Sequence, residues 1–209
     1  MPLTTLLTAP KIDILLPAKE RFSPSNAGAI SGVVRDLVQA SRASKQYRIL
    51  GTAVANPSMP ECFTGLLAKK RWLRGHNISL AAAYLELIET TGVPDLVEVH
   101  SRCQVARYLA KKKPALKICL YLHNDPRQMR AGRSVAERHY LLQNMAGIVC
   151  VSDYIRNCFL DGLDDYGDLA SKVGVARNGA YRWLKKPPVK ENLILLAGRM
   201  VPELSLIHI

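Results

Sequence analysis

The chain has 209 residues, of which 48% are hydrophobic, and a formal net charge of +12 from 29 Lys and Arg against 17 Asp and Glu. This length suits one large domain, or one domain followed by the beginning of another, with a sizeable buried core. The positive charge favours an anionic partner, which can be nucleic acid, an anionic membrane face or a phosphorylated ligand.

The cysteines and the length of the apolar runs indicate the cellular compartment in which the protein is expected. The odd number of cysteines and the lack of a C-x-x-C pair predict free thiols in a reducing cytosol and no zinc site. Residues 1–10 lack the order of a signal peptide. The longest apolar run, Ile78–Ile88, is too short to span a bilayer. We therefore expect a soluble cytoplasmic protein.

In the first half of the chain, short apolar runs alternate with helical patterns. Apolar residues at positions 30, 33, 34, 37 and 38 recur with the period of one helix face. The predicted elements here are a strand at Ile12–Leu16, a helix from residue 30, a strand at Tyr47–Ala55, and helices at Cys62–Leu73 and Ile78–Thr91, with Gly92 as the stop of the latter.

The same alternation continues in the second half. Ser134 and Glu137 form a capping-box pattern, and Ser152 is placed to cap another helix. Strands are predicted at Asp95–His100, Lys117–Leu122, Gly147–Val151 and Val173–Ala176, and helices at Gln104–Lys112, at 134–146 and at Asp153–Leu163. The pattern predicts an α/β fold with a doubly wound parallel sheet, similar to the Rossmann fold.

The composition changes after residue 179. We predict a domain over 1–179, a proline-stiffened linker over 180–192, and the start of a second domain over 193–203. The buried strand of that second domain is predicted at Leu193–Ala197.

The loop after the first strand is a candidate anion site. Gly28 precedes a helix, so backbone N–H groups there can face an anion, although a glycine needed only for a tight turn explains the pattern as well. The segment is not G-x-G-x-x-G, and the chain has no G-K-[ST]. Both absences count against a dinucleotide or triphosphate site.

The loop after Leu122 carries the densest set of polar residues. A strand delivers His123, Asn124, Asp125, Arg127 and Arg130 within eight residues. Histidine can act in acid–base or hydrogen-bonding roles, and arginine can grip phosphate. The alternative to a binding site is an ordinary Asp-Pro turn whose arginines are solvated. His100, which ends another strand, is either a neighbouring polar contact or a structural histidine.

A basic stretch, "LLAKKRWLRG", suits a helix that lies on an anionic lipid surface, with a solvated helix face as the alternative. Its membrane-facing residues would be Lys69, Lys70, Arg71, Trp72 and Arg74.

Taken together, these segments resemble the retaining glycosyltransferases of the GT-B architecture, the group that includes lipopolysaccharide-core sugar transferases. The matching segments occur in family order and are "LLPAKERFSPSNAGAISGVVRDL", "PDLVEVHSR", "LHNDPRQMRAG", "GIVCVSDYIRNCFLDGL", "VARNGAY" and "LILLAGRMVPE". The resemblance implies transfer of a sugar from a nucleoside diphosphate donor to a saccharide or lipid-linked acceptor, without metal or cofactor, in cell-surface polysaccharide synthesis.

The resemblance also implies site residues. His123 would be the catalytic residue that hydrogen-bonds the donor sugar. The backbone of Gly28 and Ala29 would face the donor diphosphate or the transferred sugar, and Gly198 and Arg199 would complete the donor site, with Arg199 on the diphosphate. The acceptor-side residues would be Glu20, Asn26, Asn124, Arg127 and Arg130. The implied location is the inner face of the plasma membrane. We expect no nucleic-acid partner, because aromatic residues are sparse and are not interleaved with the basic runs.

The end of the chain departs from the family pattern. The segment "AGRMVPE" continues as Leu204–Ile209 (LSLIHI) instead of the family's lysine and later glutamate pair. A transposon-end sequencing adapter encodes the same six residues, so we expect a non-native tail and an inactive chain. Two other functions stay open, a nucleotide-sugar epimerase of the same architecture and a basic nucleic-acid-binding α/β module.

Overall fold

A seven-stranded parallel sheet forms the centre of the structure, a computed structural model that describes residues 10–68, 75–163 and 167–179. The strand order is β3-β2-β1-β4-β5-β6-β7. The strands are β1 (Ile12–Leu15), β2 (Tyr47–Thr52), β3 (Phe63–Leu66), β4 (Leu96–His100), β5 (Ile118–Leu122), β6 (Gly147–Cys150) and β7 (Val173–Val175). The predicted doubly wound α/β class is confirmed.

Helices connect most of these strands, as the sequence pattern predicts. Ser134 and Glu137 form both halves of the capping box, and Ser152 accepts a hydrogen bond from Ile155 N–H at 3.3 Å. Gly92, with φ of 89°, ends the second helix. The helices are α1 (Ala29–Ala40), α2 (His76–Thr91), α3 (Cys103–Lys112), α4 (Val135–Asn144) and α5 (Asp153–Leu160), with 3₁₀ turns at Ser44–Gln46, Pro126–Gln128 and Gly167–Lys172.

The predicted helix Cys62–Leu73 is wrong where the structure describes it. Phe63–Leu66 instead forms β3 and pairs in parallel with β2. The apolar spacing in this stretch fits a helix face as well as a strand, but β2 offers an open edge. A Cβ atom on Gly65 would lie 2.9 Å from Cα of Ala53, so glycine allows β3 to approach the segment that follows β2 closely.

The two faces of the sheet are covered unequally. The connection through α1 runs along the sheet from β1 to β2, whereas the connections through α2, α3, α4 and α5 run in the opposite direction. Because crossovers between parallel strands are right-handed, α1 lies on one face of the sheet and the other four helices lie on the other face. Val34 and Val38 of α1 pack against Ile14 and Ile49. The larger core on the other face joins the sheet to the remaining helices through buried residues that include Leu50, Val97, Val99, Leu120, Tyr84, Ala106, Leu141 and Phe159.

A buried ion pair fixes the amino end of the central strands. The Asp13 carboxylate, 2% exposed, accepts hydrogen bonds from Arg48 Nε at 2.8 Å, Arg48 Nη2 at 2.7 Å and the Tyr84 hydroxyl at 2.9 Å. Burial and the neighbouring Asp13 raise the pKa of Tyr84, so its hydroxyl stays protonated and donates. This contact joins β1, β2 and α2.

A buried arginine binds the carbonyl oxygens at the end of α5. Arg138, 2% exposed, donates to the carbonyl oxygens of Phe159 at 2.8 Å, Arg133 at 2.8 Å and Gly132 at 3.3 Å, and also to that of Asp161. A cation at this position satisfies carbonyls that the helix itself leaves unpaired.

The described residues as far as Asn178 belong to one compact unit. The predicted linker 180–192, the start of a second domain at 193–203 and the tail 204–209 lie outside the described residues.

Candidate functional site

The candidate site lies where the strand order reverses. The chain leaves β1 towards β2 on one side, whereas β4 pairs with β1 on the other. In open parallel sheets, ligands bind at the carboxyl ends of the strands beside this point. The loops after β1, β4 and β5 share this edge, and β5 lies about 10 Å from β1, at two strand spacings.

The loop after β1 is held in place by its neighbours. Ala18 N–H donates to Asn77 Oδ1 of α2 at 2.9 Å, and Thr52 Oγ1 of β2 donates to the Ala18 carbonyl at 2.7 Å. These bonds fix the backbone that leads to Glu20. The loop therefore has a defined position before any ligand arrives.

At the first turn of α1, the chain supplies its own anion. The Glu20 carboxylate accepts a hydrogen bond from Ser31 N–H at 3.2 Å. A Cβ atom on Gly28 would lie 2.0 Å from Glu20 Oε2, so a side chain at this position would displace the carboxylate. Asn26 and Ala29 are exposed beside it. The helix terminus is thus able to bind a negative group, and Glu20 occupies it.

Three aromatic rings stack at the carboxyl ends of β4 and β5. The His100 and Tyr121 ring centroids are 4.8 Å apart with an interplanar angle of 7°, and those of Tyr121 and His123 are 5.0 Å apart. His100 Nδ1 lies 2.9 Å from His123 Nε2, a hydrogen-bonding distance. The His100 side chain is fully buried, whereas His123 is partly exposed at the edge.

The environment of His123 keeps its ring neutral. Burial, followed by the neighbouring His100, lowers the pKa of His123 to about 4. At neutral pH the ring therefore has one N–H donor and one lone pair, and no charge. Such a ring can orient a hydroxyl group, but it cannot neutralise a phosphate.

Backbone contacts hold the two histidine-bearing loops together. His123 N–H donates to Ser101 Oγ at 3.1 Å, and Ser101 N–H donates to the Tyr121 carbonyl at 2.8 Å. Ser101 has φ of 48°, in the left-handed region that non-glycine residues rarely adopt. Strain of this kind is retained where surrounding structure imposes it and is frequent at functional sites.

Of the polar residues after His123, some form ion pairs and others face solvent. Arg127 donates to Asp125 and, at 2.9 Å, to Asp161 after α5, and this pairing lowers the pKa of Asp125. The Arg127 guanidinium therefore ties the loop to α5. Asn124 and Arg130 are exposed to solvent.

A cavity opens at the same edge on the other side of β1. It has a volume of about 440 Å³, and its lining is mostly apolar. The lining includes Ala18, Thr52, Leu66, Leu67, His76 and Leu80. Its size suits one small molecule or part of a larger one.

The structure thus brings together some of the residues singled out in the sequence. The Glu20 carboxylate lies beside Gly28, and the His123 ring is within hydrogen-bonding distance of the His100 ring. Gly198 and Arg199 lie outside the described residues, and so do the residues predicted to face a membrane, which are Lys69, Lys70, Arg71, Trp72 and Arg74. Within the described ranges, no group of three or more His, Cys, Asp or Glu side chains is arranged to hold a metal ion, and no helix is long and apolar enough to cross a membrane.

Sequence reasoning missed Glu98 and Tyr121 as neighbours of the histidines. Glu98 Oε2 lies 3.5 Å from His100 Nε2. The available signal is the two-residue spacing of Glu98 with His100 and of Tyr121 with His123, because alternate residues of a strand share one face.

Among solved structures, the chain is similar in fold to sugar-nucleotide-associated proteins at low sequence identity. HepE of Anabaena in complex with UDP-glucose matches with a TM-score of 0.55 and 12% identity, over 82% of this chain and 44% of that one. UDP-N-acetylglucosamine 2-epimerase of Rickettsia bellii matches with a TM-score of 0.50 and 11% identity, over 81% and 45%. No family model and no curated protein sequence matches the chain. The chain spans less than half the length of these solved structures.

Proposed function

We propose that this chain is the N-terminal half of a GT-B glycosyltransferase. The full enzyme would move a sugar from a nucleoside diphosphate to a saccharide or lipid-linked acceptor in lipopolysaccharide or other cell-surface polysaccharide synthesis. The observation that carries the proposal is a neutral His123 at the switch-point edge, at the end of β5, which lies two strands from β1 in the sheet. The fold it shares with HepE, solved with UDP-glucose, supports it.

In this proposal the donor lies along the carboxyl edge of the sheet. His123 hydrogen-bonds the sugar, and the Gly28–Ala29 backbone faces the diphosphate with the dipole of α1 behind it. Gly198 and Arg199, outside the described residues, would complete the diphosphate site and stabilise the leaving group. No metal or cofactor is needed for these roles.

The Glu20 carboxylate competes with the donor diphosphate for the first turn of α1. A diphosphate at the first turn of α1 must displace the carboxylate that accepts from Ser31 N–H. We expect Glu20→Gln to bind UDP more tightly than the unchanged chain in equilibrium dialysis. Weaker binding by this variant would place the diphosphate elsewhere.

The acceptor would approach from the exposed side of the same edge. Asn26, Asn124 and Arg130 are exposed there. The mostly apolar cavity of about 440 Å³ offers room for the non-polar part of an acceptor. Arg127, which is paired with Asp125 and Asp161, would act by shaping the loop.

Equilibrium binding of UDP-glucose tests the donor part of the proposal. Loss of a hydrogen bond of about 1.4 kcal/mol weakens binding about tenfold, so we expect His123→Ala to raise the Kd for UDP-glucose by that factor. The Kd for UDP should stay unchanged. His139→Ala, on α4, is the matched control. Equal affinity of the two variants for UDP-glucose would remove His123 from the site.

A nucleotide-sugar epimerase is the second candidate, because the epimerase of Rickettsia bellii shares the fold. Incubation of the full-length enzyme with UDP-N-acetylglucosamine, with and without a saccharide acceptor, separates the two. A product inverted at the sugar without acceptor supports the epimerase, whereas UDP released only with acceptor supports the transferase.

We also propose peripheral attachment to the inner face of the plasma membrane. The support is the sequence of the basic stretch with Lys69, Lys70 and Arg71, each worth about 1 kcal/mol near an anionic surface. Binding to phosphatidylglycerol vesicles should fall as salt is raised and weaken when these three residues become glutamate. No binding at low salt would contradict this proposal alone.

A further inference from the structure

Glu98, His100 and His123 form a series that runs from the sheet face to the candidate site. Glu98 and His100 are two residues apart on β4 and share one face. Glu98 Oε2 lies 3.5 Å from His100 Nε2, and His100 Nδ1 lies 2.9 Å from His123 Nε2. His100 is fully buried, and its Nε2 has no hydrogen-bond partner among the described residues. Glu98 is therefore the polar group that faces this nitrogen.

The charge of Glu98 selects the positions of the two ring protons. A neutral His100 ring carries its single proton on one of its two nitrogens. If His100 Nδ1 carried it, the Nε2 lone pair would face the Glu98 carboxylate and repel it. With the proton on Nε2 the contact is attractive, although 3.5 Å is longer than a well-formed hydrogen bond. His100 Nδ1 then accepts a hydrogen bond from His123 Nε2–H.

We infer that Glu98 and His100 are positioning residues that hold His123 as the Nε2–H tautomer, with the Nδ1 lone pair directed to the ligand. The identity of that ligand rests on the proposed function, whereas the tautomer rests only on the geometry of this chain. His123 Nδ1 is then a hydrogen-bond acceptor. Such an atom pairs with a hydroxyl or amide N–H and repels a phosphate oxygen, so His123 selects the sugar and not the diphosphate.

Long-range proton–nitrogen correlation spectra of the histidine rings test the inference without any ligand, because they distinguish protonated from unprotonated ring nitrogens. In the unchanged chain at neutral pH we expect His123 to be protonated at Nε2 and unprotonated at Nδ1. In Glu98→Ala the Nε2–H fraction of His123 should fall, and in Glu89→Ala, an exposed glutamate on α2, it should not. A His123 ring protonated at Nδ1, or a doubly protonated His100, in the unchanged chain would overturn the inference.

Binding measurements separate positioning from general structural support. We expect Glu98→Ala to raise the Kd for UDP-glucose about fivefold and to leave the Kd for UDP unchanged, since only the sugar contacts His123. A parallel loss for both ligands would indicate a structural role and overturn the inference. If the unchanged chain shows the expected tautomer but binds neither ligand, the proposed function fails and the tautomer assignment stands.

Discussion

Acidification should destabilise the folded chain through His123. The ring is held neutral in the folded state, where its pKa is lowered to about 4, but it takes up a proton in the unfolded chain below about pH 6.5. Between these two values the unfolded state binds the extra proton. The contribution of His123 to stability is therefore complete above about pH 6.5 and is lost as the pH falls towards 4.

The size of this effect follows from the two pKa values. They are about 2.5 pH units apart, and each pH unit corresponds to about 1.4 kcal/mol, so the whole contribution is roughly 3 kcal/mol. By about pH 4.5 most of it, about 2.5 kcal/mol, should be lost. That loss is a large part of the 5–15 kcal/mol that is typical of a folded domain.

Urea denaturation at a series of pH values measures this effect. The free energy of unfolding of the unchanged chain should fall by about 2.5 kcal/mol more than that of His123→Gln between about pH 7 and pH 4.5. His139→Gln, which replaces a histidine of α4 outside the candidate site, is the control and should follow the unchanged chain. Parallel curves for His123→Gln and the unchanged chain, or a ring titration of His123 near pH 6.5, would show that the folded chain does not lower the pKa of His123.

Three further predictions concern the fold and are checked by the same urea denaturation. Asp13→Ala leaves a guanidinium and a phenol without their buried partner and should cost about 3 kcal/mol, whereas a cost under about 1 kcal/mol would contradict the role of this ion pair. Gly65→Ala should cost about 1–3 kcal/mol, because its Cβ would clash with the backbone of the neighbouring loop. Gly32→Ala, in open space on α1, is the control and should stabilise the chain by about 0.5–1 kcal/mol. Equal effects of the two substitutions would contradict the close approach at Gly65. Arg138→Met removes donors from four carbonyls and should cost about 3 kcal/mol, and an unchanged midpoint would show that water replaces them.

Much of the fold could be predicted from local sequence patterns. Apolar runs such as Ile118–Leu122 indicate strands buried on both faces, and the capping box of Ser134 marks the start of α4. Phe63–Leu66 could not be assigned in this way, because its apolar spacing fits both structures. The open edge of β2 and the clearance at Gly65 decide it, and both depend on tertiary contacts.

The candidate site was only partly visible in the sequence. His123 stands out because it directly follows an apolar strand. Its link to Glu98 depends on the register that pairs His100 with Tyr121, which no local pattern contains. The hydrogen bond from Arg127 to Asp161 likewise joins residues that are 34 positions apart in the chain, and it depends on the packing of the loop against α5.

We propose that a nucleotide sugar binds at the carboxyl edge of the sheet. Titration of the labelled chain with UDP-glucose, followed through backbone amide and histidine ring resonances, tests it most directly and detects weak binding. We expect saturable shifts that are largest at Gly28, Ser31 and His123. Shifts confined to the opposite edge, around Asp13 and Thr91, or no saturable shift at all, would contradict it.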